Sequence, residues 1–354
     1  SRAPAAANRR PERRPDRGMT EPGRPLRAAV IGLGMMGRAH VRVWDELVEG
    51  VELVAVADTD PAALRESTDG RAARGYTDAA SMLEAEDLDL VSVVVPTSLH
   101  LPTTLAALDA GSNVLVEKPI AATRGEAEKM IDAARRAGRM LTVGHIERFN
   151  PAIRELRRRL AAGELGRIFE IRATRLGPFP ARIRDVGVVV DLAPHDLDVM
   201  RYLLGSDPVR LYAETEQRIH TDHEDLFVGL MKFANGAVGV LDINWLTPTK
   251  QRTLSVTGER GMYTADYLTQ QLIFYPNPSS DGSVDEGKRV EREIKRREPL
   301  AIELDEFARA ARNGGVPPVD PHEAMVALLL ARAMVESATT GAVISGERLE
   351  SVLR

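Results

Sequence analysis

Leu26-Arg27-Ala28-Ala29-Val30-Ile31-Gly32-Leu33-Gly34-Met35-Met36-Gly37 is the stretch on which the fold turns. Residues 26–31 make a short, largely apolar strand. A helical pattern follows through Ala39, Val43, Trp44 and Leu47. Between them lies G-x-G-x-x-G. Gly32 permits the tight turn, Gly34 lets backbone approach a pyrophosphate, and Gly37 lets helix and strand pack closely. The helix opens at Met35 and Met36, and its first N–H groups point at the phosphates. A second strand, 51–57, ends in Asp58. An acid about 20 residues past the glycines accepts hydrogen bonds from the adenosine ribose and repels a 2′-phosphate. No Arg immediately follows Asp58. The expected cofactor is therefore NAD, not NADP.

Moving outward, strands and helices keep alternating. A helix at 61–67, a short strand at 74–76 and a helix at 78–84 with Thr77 as its cap come first. Asp89–Val95 is rich in β-branched residues and suits a parallel strand covered on both faces. It ends at Pro96-Thr97, with His100 just beyond. A helix (101–110) and a strand (113–116) lead to Glu117-Lys118-Pro119. Thr123 and Glu126 form a capping box for the next helix. A last short strand ends at Gly144-His145. Six such strands predict a doubly wound α/β sheet, in which ligands lie beyond the carboxyl ends of the strands. Gly32–Gly37, Asp58, Pro96, Thr97, His100, Glu117, Lys118 and His145 all fall at that edge.

Past residue 147 the pattern changes. A linking helix (151–162) precedes period-2 stretches at 168–175, 209–217, 226–234 and 237–245. Asn235-Gly236 is a two-residue hairpin signal between the last two. Further short strands at 252–257, 261–266 and 271–275 complete a mainly antiparallel sheet. A helix from Asp191 to Leu204 interrupts it, with Pro194 in its first turn. The polar stretch 276–297 reads as a loop or long hairpin tip. Helices at 301–312 and 321–337 close the chain, the second apolar enough to pack between domains. The predicted division is a basic disordered tail at 1–24, a nucleotide-binding domain at 25–147 and a substrate-binding and oligomerisation α/β domain at 148–354.

Composition narrows the function. Apolar residues make up 44%, enough for a sizeable core, and no run approaches membrane-spanning length. With no Cys there is no disulfide, thiol nucleophile or thiolate metal site, and a cytoplasmic setting is expected. Net charge is −5, although residues 1–27 carry eight Arg against three carboxylates. That basic tail reads as a tag remnant or upstream extension, and neither nucleic acid nor membrane is expected as a partner. His220, His223 and Glu224 have loosely ligand-like spacing but read as a charged turn, so no metal is expected.

Two places could carry chemistry. Lys118 follows a buried strand, where Pro119 fixes the backbone; an amine held there lies near a nicotinamide ring, or it snorkels to the surface. Asp191 and His195 lie one helical turn apart on one face. A carboxylate beside an imidazole can orient it for proton transfer, or the two can be an N-cap and a core His.

These residues together resemble the Gfo/Idh/MocA family of nicotinamide-dependent sugar and cyclitol oxidoreductases. The likeness rests on Gly32–Gly37, Asp58, Pro96-Thr97 with His100, Glu117-Lys118-Pro119 and Asp191-Leu192-Ala193-Pro194-His195-Asp196, and it runs from about residue 26 onward. It implies a Rossmann domain and a C-terminal α/β domain whose open sheet often mediates homodimers or homotetramers. It also implies Lys118 and His195 as the acid/base pair, Asp191 in support, and a Lys118–Pro119 peptide that is often cis. Residues 143–153 and 189–201 are similar to the branch that oxidises UDP-N-acetylglucosamine at C3. Related branches act on UDP-N-acetylglucosaminuronate or on inositols. His145, Arg148 and Asn150 are candidate substrate contacts, or hinge braces. Arg182 and Arg184 could clamp a diphosphate or a uronate carboxylate. On this reading His195 takes the hydroxyl proton and Lys118 steadies the alkoxide, with the reverse assignment open. An NAD-using glycosidase and a non-catalytic NAD-sensing protein are the rival functions.

Overall fold

Unbroken apolar runs become parallel strands because a strand covered on both faces has no side to give to water. The computed structural model describes residues 23–180, 186–220, 222–277 and 289–353. Its first sheet holds β1 (Leu26–Ile31), β2 (Val51–Ala57), β3 (Arg74–Tyr76), β4 (Leu90–Val93), β5 (Asn113–Glu117) and β6 (Leu141–Gly144). All pairings are parallel, in the order β3-β2-β1-β4-β5-β6. The helices of this half are α1 (Met35–Glu46), α2 (Pro61–Thr68), α3 (Ala79–Ala85), α4 (His100–Asp109) and α5 (Arg124–Ala137). The order reverses between β1 and β4, and such a switch point leaves a crevice at the strands' carboxyl ends. The Thr123–Glu126 capping box is present. The cap of α3 is Asp78, not Thr77: its carboxylate accepts the Ser81 N–H.

After α6 (Pro151–Ala161), the second sheet is built from β7 (Ile168–Pro178), then, beyond α7 (Val188–Leu204), β8 (Pro208–Glu216), β9 (Leu226–Phe233), β10 (Val238–Asn244), β11 (Leu246–Gly258), β12 (Gly261–Asp266), β13 (Gln271–Pro276) and β14 (Val290–Arg292). With β15 (Ile344–Ser345) it runs β14-β13-β12-β11-β7-β10-β9-β8-β15, and among the described residues only β7 and β10 pair in parallel. The Asn235-Gly236 turn joins β9 to β10 as expected, with Gly236 at φ +91°. Part of the polar 276–297 stretch is therefore a strand; residues 278–288 lie outside the described ones.

The helix bearing Asp191 starts earlier than the sequence suggests. Valine is a weak helix former, but Val188 and Val189 are buried and tertiary packing overrides that preference. Glu224 supplies acceptors for the first turn: its carbonyl takes the Val188 N–H at 2.9 Å and its carboxylate the Val189 N–H at 3.2 Å. Pro194 consequently lies inside α7, not in its first turn.

α8 (Pro299–Asn313) and α9 (Pro321–Thr340) precede the final α10 (Glu347–Leu353). Leu300, Leu304 and Phe307 of α8 pack into the first half, where Phe307 meets Trp44 of α1 at 6.3 Å between ring centroids. α9 is apolar almost all round, because it has two cores to fill. Met325, Leu328 and Leu329 enter the nucleotide-domain core, while Val326, Leu330 and Met334 enter that of the second sheet.

Candidate active site

The glycines of the first turn have separate reasons to be glycine. A Cβ on Gly32, at φ +93°, would lie 2.4 Å from the Val94 carbonyl oxygen, and one on Gly37 would lie 1.9 Å from that of Gly32. Packing excludes both. A Cβ on exposed Gly34 would meet no protein atom within 4 Å. That open space is where a bound pyrophosphate could approach the backbone. α1 also begins with no side-chain cap and no acid in its first turn, leaving its N–H groups free for an anion. At the end of β2, Asp58 accepts the Leu33 N–H at 2.5 Å and the Asp60 N–H at 2.8 Å, which fixes its carboxylate beside the glycine turn. Pro96 and Thr97 open a short turn past β4 on the same edge. A phosphate cradle flanked by an acid fits a dinucleotide whose ribose is not phosphorylated.

β5 brings two ionisable side chains, Glu117 and Lys118, to this edge. Its last residue, Glu117, accepts the Lys118 N–H at 3.1 Å and stands 3.2 Å from His40 Nε2, a buried ring on α1. Gly144 on β6 makes room, since a Cβ there would lie 2.9 Å from Glu117 Oε1. Burial opposes the Glu117 charge, but His40 and Lys118 outweigh it and hold the carboxyl below its usual range. The Lys118–Pro119 peptide is cis. Lys118 Nζ reaches across to α7 and donates to the Asp191 carbonyl oxygen at 2.9 Å and to Asp191 Oδ1 at 3.1 Å. Pro194 interrupts the hydrogen-bond ladder of α7 at that turn. One turn on, His195 has a buried Nδ1 without a partner among the described residues. Burial first, then the charges of Lys118 and Arg175, push His195 well below the ordinary histidine value. It is a neutral imidazole at neutral pH.

Three of the expected ligand contacts, His100, Arg148 and Asn150, have protein partners. His100 is buried, with Nδ1 2.9 Å from the Pro119 carbonyl and Nε2 3.0 Å from that of Val95, so it ties two strand ends together. Arg148 forms a two-pronged pair with fully buried Asp198 at 2.6 and 2.7 Å and a further one with Glu323 at 2.6 Å. Asn150 caps α6 and donates to the Tyr267 carbonyl at 3.0 Å. Both are braces between elements. His145 is buried, 3.7 Å from Asp198 and with neither ring nitrogen hydrogen-bonded among the described residues; burial lowers its pKa. Arg182 and Arg184 lie outside the described residues. His220 packs among the rings of Phe179, His223 and Trp245, and no metal-holding cluster exists among the described residues.

Other groups were not anticipated. Arg175, buried on β7, pairs with Asp196 at 2.7 Å and Glu147 at 3.1 Å, locking α7 to the loop after β6. Glu303 of α8 is 1% exposed with neither carboxyl oxygen bonded among the described residues. Burial, then the Glu117 and Asp198 charges, raise its pKa well above the carboxylate range. The available signal for His40 was a polar residue on the buried face of α1, between Gly37 and Trp44.

The glycine turn with Asp58 beside it, and Lys118 held against Asp191 one turn before His195, are groups that an NAD-dependent dehydrogenase could use. Residues 26–145 match the oxidoreductase family with an NAD-binding Rossmann fold, and residues 153–264 match the GFO/IDH/MocA C-terminal domain. The chain belongs to the Gfo/Idh/MocA family. It is 30% identical over 286 residues to the UDP-N-acetylglucosamine 3-dehydrogenase of Acidithiobacillus ferrooxidans, across 80% of this chain and 88% of that one. It is 26% identical over 330 residues to the myo-inositol 2-dehydrogenase of Thermotoga maritima, across 88% and 96%. A solved UDP-N-acetylglucosamine 3-dehydrogenase from A. ferrooxidans superposes with a TM-score of 0.80 at 26% identity, covering 89% of this chain and 98% of that one.

Proposed function

We propose that this dehydrogenase oxidises a secondary hydroxyl of a sugar nucleotide to a ketone, with UDP-N-acetylglucosamine at C3 as the substrate. The observation that carries the reading is the Lys118–Asp191 contact, which joins the edge of β5 to the first turn of α7 beside His195. The similarity to UDP-N-acetylglucosamine 3-dehydrogenase favours this substrate over UDP-N-acetylglucosaminuronate or an inositol.

Bound NAD⁺ supplies a hydride acceptor, so conversion of CH–OH to C=O yields NADH and leaves one proton for the chain to take. His195 accepts that proton, since its imidazole is neutral and its Nδ1 has no partner among the described residues. Lys118 directs its ammonium at the oxygen as negative charge grows, and Asp191 holds the ammonium in place. Asp58 and the turn Gly32–Gly37 bind the cofactor. Self-association belongs to the same reading: Val228, Leu230 and Val238 stand exposed on the open face of the second sheet.

The His195 assignment sets a pH profile. The base works when unprotonated, and its pKa is depressed. Thus kcat/KM is expected to stay level as pH falls through 6.5, the ordinary histidine value, and to drop only below it. An acid limb centred at or above that value would remove His195 from the role.

NADH absorbance, followed with UDP-sugars and inositols under identical conditions, tests the substrate. UDP-N-acetylglucosamine is expected to give the highest kcat/KM. A strong signal with an inositol and none with the sugar nucleotide would overturn the proposal. Sugar turnover without net NADH would point to the glycosidase chemistry.

A further inference from the structure

Arg252 stands in a row of core-facing residues. On β11 the side chains alternate, and Leu254 and Val256 on the same face as Arg252 are fully buried. Directly across the ladder, Arg252 pairs with Arg175 of β7. Like charges placed opposite one another on a sheet destabilise it. For Arg175 the cost is met by Asp196 and Glu147. The Arg252 guanidinium has no hydrogen bond or ion pair among the described residues, although the residue is partly buried. The pairing of β11 with β7 breaks between Leu246 and Gln251, just before this residue. Irregularities of that kind re-aim side chains beside active sites.

Charged groups of the candidate site act on this guanidinium, which stands across the ladder from Arg175. Asp191, Glu147 and Asp196 attract it and Arg175 repels it. Its charge in turn acts on His195. Burial, then Arg175, depress the pKa of Arg252, whereas carboxylate partners raise that of Arg175 despite fuller burial. Two arginines side by side thus differ in one respect: one has its anions supplied by the protein and the other does not.

We infer that Arg252 is a specificity-determining residue that receives an anionic group of the substrate, a phosphate or a carboxylate carried near the reacting ring. This deepens, and rests on, the sugar-nucleotide reading, because a neutral cyclitol offers no such group. A planar guanidinium with five donors suits a two-pronged grip on either oxyanion. Because the residue binds and does not react, its loss should appear mainly in KM, with kcat less affected.

The test uses NADH-saturated protein, so that the phosphate cradle is filled. Inorganic pyrophosphate and glucuronate are titrated separately into wild type, Arg252→Gln and Arg252→Lys by calorimetry, with thermal melting as the check on folding. At least one anion is expected to bind wild type, pyrophosphate if the source is a phosphate and glucuronate if it is a carboxylate. Its Kd should weaken by about 10- to 100-fold in Arg252→Gln, and less in Arg252→Lys, which keeps the charge without the fork. Should Arg252→Gln fail to fold, the Lys variant carries the test, with a smaller weakening still required. Binding of neither anion, or an unchanged Kd in the folded variants, overturns the assignment. These titrations do not depend on which substrate turns over. An inositol emerging from the activity panel would sink the sugar-nucleotide reading while leaving the Arg252 result to stand by itself.

Discussion

Lys118→Met is expected to lower kcat/KM by about 10³-fold while NADH still binds, as read from the quenching or enhancement of its fluorescence. The side chain keeps most of its apolar stem and loses its charge. Two things then fail together. The oxygen losing its proton has no cation to meet it, and Asp191 has no ammonium at 3.1 Å to share. The glycine turn and Asp58 are untouched, so cofactor affinity is the control. A variant with near-wild-type kcat/KM would strip Lys118 of any part in the chemistry. A loss confined to NADH affinity would make it a cofactor contact instead.

Arg148→Ala is expected to cost about 3–5 kcal/mol of folding stability, measured by urea unfolding. The change leaves Asp198 charged, fully buried and without its two-pronged partner, and also frees Glu323. The pH dependence follows. Burial works against the Asp198 charge, but His145 and Arg148 outweigh it, so its folded pKa lies below its unfolded one. Its contribution is therefore complete above the unfolded value, about 3.9, and is lost as pH falls through the lower folded value. Without Arg148 the balance shifts towards the neutral acid, and the onset of acid unfolding should move to higher pH. A stability loss under about 1 kcal/mol with a raised KM would return Arg148 to the substrate.

What could be read in advance was whatever local pattern determines. The glycine turn, the alternation of strands and helices, the Thr123–Glu126 cap and the hairpin at Asn235-Gly236 are encoded within a few residues, and the structure has them. Asp191 and His195 were legible as a pair because helical spacing brings them together. Their meeting with Lys118 was not: that contact spans 73 positions in sequence, and only the family likeness suggested it. His100, Arg148 and Asn150 show the limit more sharply. A polar residue next to a strand end has the same local signature whether it faces a ligand or a carbonyl. What separates the cases is a distant acceptor, such as Asp198 or the Tyr267 carbonyl. The start of α7 was placed too late for a related reason: what extends the helix back from Asp191 to Val188 is the packing that buries Val188 and Val189.

α9 fills two cores and α8 covers α1, and this bears on how such a chain can be recombined. The nucleotide-binding half looks like a transferable module when drawn from its sheet. Cut after the sixth strand, however, it would leave Trp44 without Phe307 and its own core without Met325, Leu328 and Leu329. Grafting this cofactor domain onto a different catalytic domain would therefore require carrying α8 and half of α9 with it. A gene fusion made at residue 147 is therefore expected to destabilise the nucleotide-binding half, because it removes those packing partners from its core.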